Sequence, residues 1–367
     1  MAHTTRPKTF GGARVLIAGG GVAALEAMFC LRALLREKVD IELLTPEPIF
    51  FYRPLSVVRG VRGVWRFELA DLAEVAGAQL TLDALASVDA ERHRGRTRHG
   101  AEIPYDFLVV ACGALPRPVI RDALTFRGPA DREAFAALVE AAGRSNNDAA
   151  AFCIPRGVSW TLPIYELAFS LRQEARSARI TIRTFERRPL EILGSRASDT
   201  LSEHLRRASI ELSLEDDPIR HPISGKETVV VAAPVLEGQR VLGIPADDEG
   251  FIPTSRYGKI DGIDAGYAAG DVTDFPVSQG SLAADQADAA AEAIAAEIGI
   301  VLEPQLFRPV IRAAIVAGDR TIFARRDLDD PADEGTISDQ PLWSPPAKIA
   351  ARHLAPALAE LAAHPPR

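Results

Sequence analysis

The pattern in this chain best suited to chemistry is a set of three small residues at fixed spacing, Gly19, Gly21 and Ala24. They fit G-x-G-x-x-G/A, which serves phosphate binding when a strand precedes it and a helix follows. Gly19 permits the tight turn, Gly21 carries no side chain to block a diphosphate, and Ala24 lets helix and strand pack closely. A diphosphate there would meet the free N–H groups and positive dipole end of the helix.

The flanking sequence supplies that context. Arg14 to Ala18 is a short apolar run that reads as a buried parallel strand, and Val22 to Arg36 places Ala23, Ala27, Cys30, Leu31 and Leu34 at helical spacing. Asp40 to Leu44 supplies the next strand and completes a βαβ unit. Such units present a carboxylate at the end of the second strand to the ribose hydroxyls. Here Thr45 stands at that point and Glu47 follows two residues later, so the ribose contact falls to Glu47 with Thr45 as the alternative. A solvated turn is an equally good reading of Glu47. Ala86 to Asp89 and Gly100 to Ile103 read as short antiparallel strands, and Tyr105 to Gly113 as another buried strand. A second alternation runs through the strand Ala149 to Ile154, a helix from Pro163 to Glu174 and the strand Ile180 to Phe185, which predicts a second α/β domain. The chain then passes Val229 to Ala233 and Gly243 to Pro245 and reaches Ala265 to Asp271. An Ala-rich helix follows from Gln279 to Ala296, then a tail from Pro304 with two Pro-rich joints and a short final helix.

Length and composition set outer bounds. With 367 residues, 47% hydrophobic and 25% charged, the chain is an ordinary globular protein of two or three domains. A net charge of −8 argues against nucleic acid as a partner, and the basic cluster Arg92 to Arg96 reads as a solvated hairpin face. Cys30, Cys112 and Cys153 form no CxxC, no metal-ligand spacing and no disulfide framework, which fits a reducing, cytoplasmic setting. No apolar stretch is long enough for a membrane helix, and Met1 to Gly12 lacks a signal-peptide apolar region.

Four segments in order carry a family resemblance over most of the chain: Gly19 to Ala24; Phe51-Tyr-Arg-Pro54; Tyr105 to Ala114, where the family has YDxLVxATG; and Tyr267-Ala-Ala-Gly-Asp271. The chain resembles the two-dinucleotide-domain flavoproteins of the pyridine nucleotide-disulfide oxidoreductase superfamily, and within it the sulfide:quinone reductase and type II NADH dehydrogenase branch. The resemblance implies an α/β fold of two Rossmann-like domains, glutathione-reductase-like. The FAD domain would be discontinuous (12–125 and 240–302), followed by a second, NAD(P)-domain-like unit (148–238) and a C-terminal capping segment (303–367). It implies FAD as cofactor. Asp271, beside Gly270, would bind the ribityl or pyrophosphate region, and the helix start at Gln279 and Gly280 would face the flavin ring, where its dipole favours the charge gained on reduction. Further contacts are implied at Pro54, Val88, Ala111 and Gly113. Arg53 would add positive charge near the diphosphate or ring, with a surface salt bridge as the equal alternative.

The electron donor is less legible. Relatives that use NAD(P)H open the second domain with another G-x-G-x-x-G, but here Ile154 leads into Pro155 to Pro163 with Gly157 alone and a bulky Trp160. That stretch is similar to the P-x-G-x-x-x-C…P-x-E-x-A segment of sulfide:quinone reductases and flavocytochrome sulfide dehydrogenases, with Trp160 near the place of the cysteine. A thiol/disulfide mechanism is therefore not expected. Glu166, early in the next helix, is a candidate proton relay, with a structural role as its alternative. Glu186, Arg187 and Arg188 either read a nicotinamide nucleotide or are surface charge. These residues leave an FAD oxidoreductase passing electrons from a donor, NAD(P)H among the candidates, to a small acceptor such as a quinone. Peripheral membrane contact is compatible with it. The competing reading is a flavin-binding sensor or partner-binding module without turnover.

Overall fold

Residues Val15 to Ala18 are all buried, as a parallel strand covered on both faces must be. The computed structural model describes residues 12–57, 66–144, 149–221, 229–301 and 303–363. Met1 to Gly12, where no signal-peptide apolar region is read, lies outside them except for Gly12. Strand β1 (Ala13–Ala18) is followed by helix α1 (Val22–Leu35), β2 (Val39–Thr45), α2 (Leu69–Ala76), β3 (Gln79–Leu82) and β4 (Phe107–Val110). A three-stranded meander (Leu85–Asp89, Arg94–Thr97, Glu102–Pro104) lies between β3 and β4. Its middle strand holds the basic cluster, with Arg94 and Arg96 exposed and Gly95 and Thr97 buried, so the arginines do form a solvated face.

The chain then leaves to build a second parallel sheet from β5 (Leu124–Thr125), β6 (Ala149–Ile154), β7 (Arg179–Thr184), β8 (Ile210–Ser213) and β9 (Val229–Ala232), with helices α3 (Arg132–Arg144), α4 (Leu162–Glu174) and α5 (Ser195–Arg207) between them. It returns with β10 (Gly266–Ala268) and helix α6 (Gly280–Glu297). The first sheet has the order β10-β4-β1-β2-β3 and the second β5-β9-β6-β7-β8. In each, the order turns at the strand that starts the unit, β1 or β6. Such a switch point opens a crevice outside the carboxyl ends of the strands, where α/β folds bind ligands. An antiparallel pair, Ala114–Arg117 with Val235–Gly238, joins the two halves.

The tail holds more than the predicted joints and helix. Strands β11 (Val310–Ala317) and β12 (Arg320–Asp327) form a hairpin extended by β13 (Thr336–Ser338), and helix α7 (Leu354–Ala363) closes the described chain. Ile311, Ala313 and Ile315 share a core with α4 and the second sheet, whereas Leu354 and Leu358 join the core around α1 and α6. The tail thus seals both halves. No helix among the described residues is long and apolar enough to cross a membrane.

Candidate functional site

The first crevice is built where β1, β4 and β10 end. Gly19 has φ +142°, and a Cβ on it would lie 2.1 Å from the Ala111 carbonyl oxygen, so the turn and the close approach both demand glycine. Ala111 closes the same corner by donating its N–H to Ala18 O at 2.7 Å. Gly21 is the N-cap of α1, has no side chain to cap it, and a Cβ there would meet nothing within 4 Å. Free N–H groups of α1 therefore face open space. Ala24 is fully buried. Gly113, with φ +75°, also borders open space.

The distant segment arrives at this point. A Cβ on Gly270 would lie 2.9 Å from the Ala23 Cβ, which sets the Gly270-Asp271 turn against the first turn of α1. The turn is braced by residues the motifs do not name. Gln286 on α6 accepts the Gly270 N–H at 2.7 Å and donates to Thr273 Oγ1 at 3.2 Å, and Thr273 donates to Gly270 O at 2.9 Å. Asp271 is half-buried, and no hydrogen bond from a described residue reaches its carboxylate. Burial raises its pKa, opposed by the positive charge of Arg53. Arg53 forms no salt bridge among the described residues; its charge serves Asp271. Pro54 lies beside it in a short 3-10 turn, Arg53–Val57.

The other sequence candidates divide. Thr45 is buried beneath Gly20 and accepts the Glu47 N–H at 3.4 Å, so it shapes the turn, while the Glu47 side chain stands exposed beyond β2. Val88 is enclosed with Leu16, Leu44 and Val110, and it donates its N–H to Leu242 O at 2.8 Å, which pins the meander to the returning chain. Gln279 caps α6: its side-chain oxygen accepts the N–H groups of Ser281 and Leu282 at 3.0 and 3.1 Å, and its amide nitrogen donates to Arg312 O at 2.8 Å. Gly280 is covered by the tail, since a Cβ on it would lie 3.0 Å from the Ile349 side chain. None of the three cysteines is in a disulfide; burial pushes the Cys112 thiol up to about 11 and raises that of Cys30 further.

No protein-family model matches the chain, and no curated protein matches it. Solved structures do. The sulfide:quinone oxidoreductase of the hyperthermophilic bacterium Aquifex aeolicus superposes with a TM-score of 0.78 at 17% identity, over 89% of this chain and 87% of that one. The putidaredoxin reductase of a covalent complex with putidaredoxin gives 0.64 at 17%, over 89% and 90%. The NADH:rubredoxin oxidoreductase of Clostridium acetobutylicum gives 0.57 at 15%, over 89% and 91%. The chain has the fold of these oxidoreductases. It is the two-Rossmann architecture that the motifs implied.

Within this fold the second crevice differs from the first. The loop after β6 keeps one glycine of left-handed φ, Gly157 at +93°, whose Cβ position faces Val235. Glu186 follows β7 as Glu47 follows β2, but it is 3% exposed and held by three hydroxyls: Thr161 at 3.0 Å, Tyr165 at 2.6 Å and Thr184 at 3.0 Å. Burial raises its pKa against those bonds. Arg187 and Arg188 point outward to Glu191 and Asp199 at 3.9 and 3.7 Å. Glu166 is also buried. It accepts the Val316 N–H of β11 at 2.8 Å and the Lys348 ammonium at 2.6 Å, joining α4 to the tail. Burial raises its pKa, and Lys348 opposes the rise.

Proposed function

We propose that the protein is an FAD-dependent oxidoreductase that passes electrons from a small donor to a small acceptor such as a quinone without a redox-active disulfide. One observation carries this reading: two sequence-distant turns, Gly19 to Gly21 and Gly270-Asp271, meet at the start of α1 around open space, with a carboxylate that accepts no hydrogen bond from a described residue. The residues fit an extended dinucleotide. Gly21 and the N–H groups of α1 would hold its diphosphate, Glu47 the adenosine ribose, and Asp271 the hydroxyls of the ribityl arm, donors that a desolvated carboxylate needs. The bound flavin would supply two-electron chemistry. The chain's own residues position it and set the charge around it, Arg53 positive and Asp271 negative.

The donor is proposed to meet the flavin directly, without NAD(P)H docked on the second sheet. A nucleotide ribose is read by a free carboxylate after the second strand, or its 2′-phosphate by an arginine there, and Arg187 and Arg188 are turned to Glu191 and Asp199. Glu186, at that place, is already shared among three hydroxyls. The absorption spectrum of the purified protein tests the cofactor, and protein without flavin after reconstitution with FAD refutes the whole reading. Anaerobic titration separates the donors. Sulfide or a water-soluble quinol is expected to bleach the flavin, whereas NADH and NADPH leave it oxidised; bleaching by either nucleotide overturns the assignment of the donor and spares that of the cofactor.

A further inference from the structure

Away from the dinucleotide crevice, α1, α6 and the entry to α7 enclose a polar cluster with ligating chemistry. Cys30 on α1, Asp288 on α6 and His353 just before α7 each offer one atom, and the three lie within 4.8 Å of one another. Cys30 is 1% exposed, and the side chains of Asp288 and His353 are 17% and 21% exposed. Asp288 Oδ1 is buried with no hydrogen-bond partner, although His353 Nε2 stands 3.9 Å from it. A buried carboxylate oxygen without a donor costs free energy and calls for a positive partner. Arg352 offsets this only in part: its charge favours the Asp288 carboxylate, but it is 68% exposed and turned to Glu292 at 3.5 Å.

We propose that Cys30, Asp288 and His353 bind a divalent cation of the Zn²⁺ type, with water as the fourth ligand. Sulfur, imidazole nitrogen and carboxylate oxygen form the donor set that zinc prefers, whereas Mg²⁺ and Ca²⁺ take oxygen alone. In a tetrahedral zinc site such atoms stand about 3.3–3.6 Å apart, given bond lengths of about 2.0–2.3 Å. From separations within 4.8 Å, the cluster would need to close by roughly 1 Å to reach that spacing. Binding releases to solvent the Cys30 thiol proton and any proton that burial and the neighbouring Glu26 charge keep on Asp288; the resulting thiolate and carboxylate then balance the two charges of the cation, and His353 enters as neutral imidazole. Glu26 is a positioning residue here. Fully buried on α1, it accepts the backbone N–H groups of His353 and Leu354 at 2.7 and 2.6 Å and fixes the histidine at the cluster. The cation would clamp α7 to α1 and α6. The chain shows no metal-ligand spacing because the three ligands come from its two ends and meet only in the fold.

The experiment uses the full chain as purified, stripped with a chelator and then titrated with Co²⁺ and Zn²⁺ alone. Expected are one cobalt per chain, a thiolate-to-cobalt charge-transfer band, ligand-field bands to the red of any flavin absorption, displacement by Zn²⁺, and a raised thermal midpoint. Cys30→Ala puts a small apolar side chain at a buried position; it should lose the charge-transfer band and weaken Zn²⁺ binding at least ~100-fold, more than the 10–100-fold of an outer-shell change. If that variant fails to fold, His353→Gln at a partly exposed position takes its place and should weaken Zn²⁺ binding by a similar factor. No stoichiometric cobalt uptake by the wild type overturns the proposal, as does an unchanged cobalt spectrum in a folded Cys30→Ala protein.

Discussion

Replacing Lys348 by methionine removes the charged partner of Glu166 at a position only 12% exposed, while the carboxylate, 3% exposed, keeps the Val316 N–H alone. Breaking a buried ion pair on one side costs about 3–5 kcal/mol, because the remaining charge is left uncompensated. At about 2.1 cal/mol/K per residue, 367 residues unfold with an entropy of about 0.8 kcal/mol/K, so the thermal midpoint should fall by roughly 4–6 °C. The loss should depend on pH in a fixed direction. Glu166 already has a folded pKa above its usual 4.5 because it is buried, and Lys348 is what restrains the rise. Without Lys348 the folded pKa climbs further, so the folded protein keeps a proton that the unfolded chain has released. Stability then falls as pH rises from about 4.5 to the new folded value, and the deficit against wild type widens over that window. Glu166→Gln in the Lys348→Met background should recover most of the loss and flatten the pH dependence. Calorimetry from pH 4 to 8 on the four proteins of this cycle measures each quantity. A Lys348→Met penalty below 1 kcal/mol, or one that shrinks as pH rises, would refute the assignment of this pair as a buried tie between α4 and the tail.

Four further changes separate folding from cofactor binding. Gly21→Val should fold with a midpoint within about 2 °C of wild type and purify without flavin, as measured by the absorbance ratio and circular dichroism, because a Cβ there meets no protein atom; Gly19→Ala should lose stability instead, its Cβ lying 2.1 Å from Ala111 O. Asp271→Asn should leave the flavin-free protein as stable as wild type or more so above pH 4, since a carboxyl with a raised pKa destabilises once charged, and should weaken FAD about tenfold by fluorescence titration. Glu186→Ala should cost about 1–3 kcal/mol in denaturant midpoints, through three hydroxyls left without their acceptor, while flavin content stays unchanged.

The first half of the fold is legible because its signals are local. The strand Ala13–Ala18, its glycine turn and α1 are contiguous, and the Gly270-Asp271 turn carries its own pattern next to an Ala-rich helix. The tail sheet is not, because Val310 to Ala317 is apolar at nearly every position and lacks the alternation that marks a half-exposed strand. Glu186 misleads for a similar reason. Followed by two arginines it reads equally as a nucleotide contact or as surface charge, and only Thr161 and Tyr165, brought over by α4, take it inside. Gln286, alone in an alanine helix, gives no sequence sign that it holds the Gly270 turn.

The tail also alters how the start of α6 is to be understood. Between Lys348 and Leu354 the chain is anchored by side chains from four separate places: Glu166 takes Lys348, Tyr52 takes the Ile349 N–H at 2.8 Å, Ser281 takes the Ala350 N–H at 2.9 Å, and Glu26 takes the N–H groups of His353 and Leu354. Ile349 fills the room over Gly280, so that glycine is required by the tail's close approach. Gln279 has meanwhile satisfied the first free N–H groups of α6. With those two donors spent, α6 offers a ligand in the crevice chiefly its dipole, a contribution of about 0.3–1 kcal/mol at an exposed end and up to roughly 2 kcal/mol where it is buried. In the proposed function, direct hydrogen bonding to that ligand falls to the start of α1, where no side chain caps the helix, and to Asp271. Two helices that look alike in sequence, each opening on glycine, are thereby left with different work: the start of one is open to a ligand, and the start of the other holds the chain's own C-terminal segment.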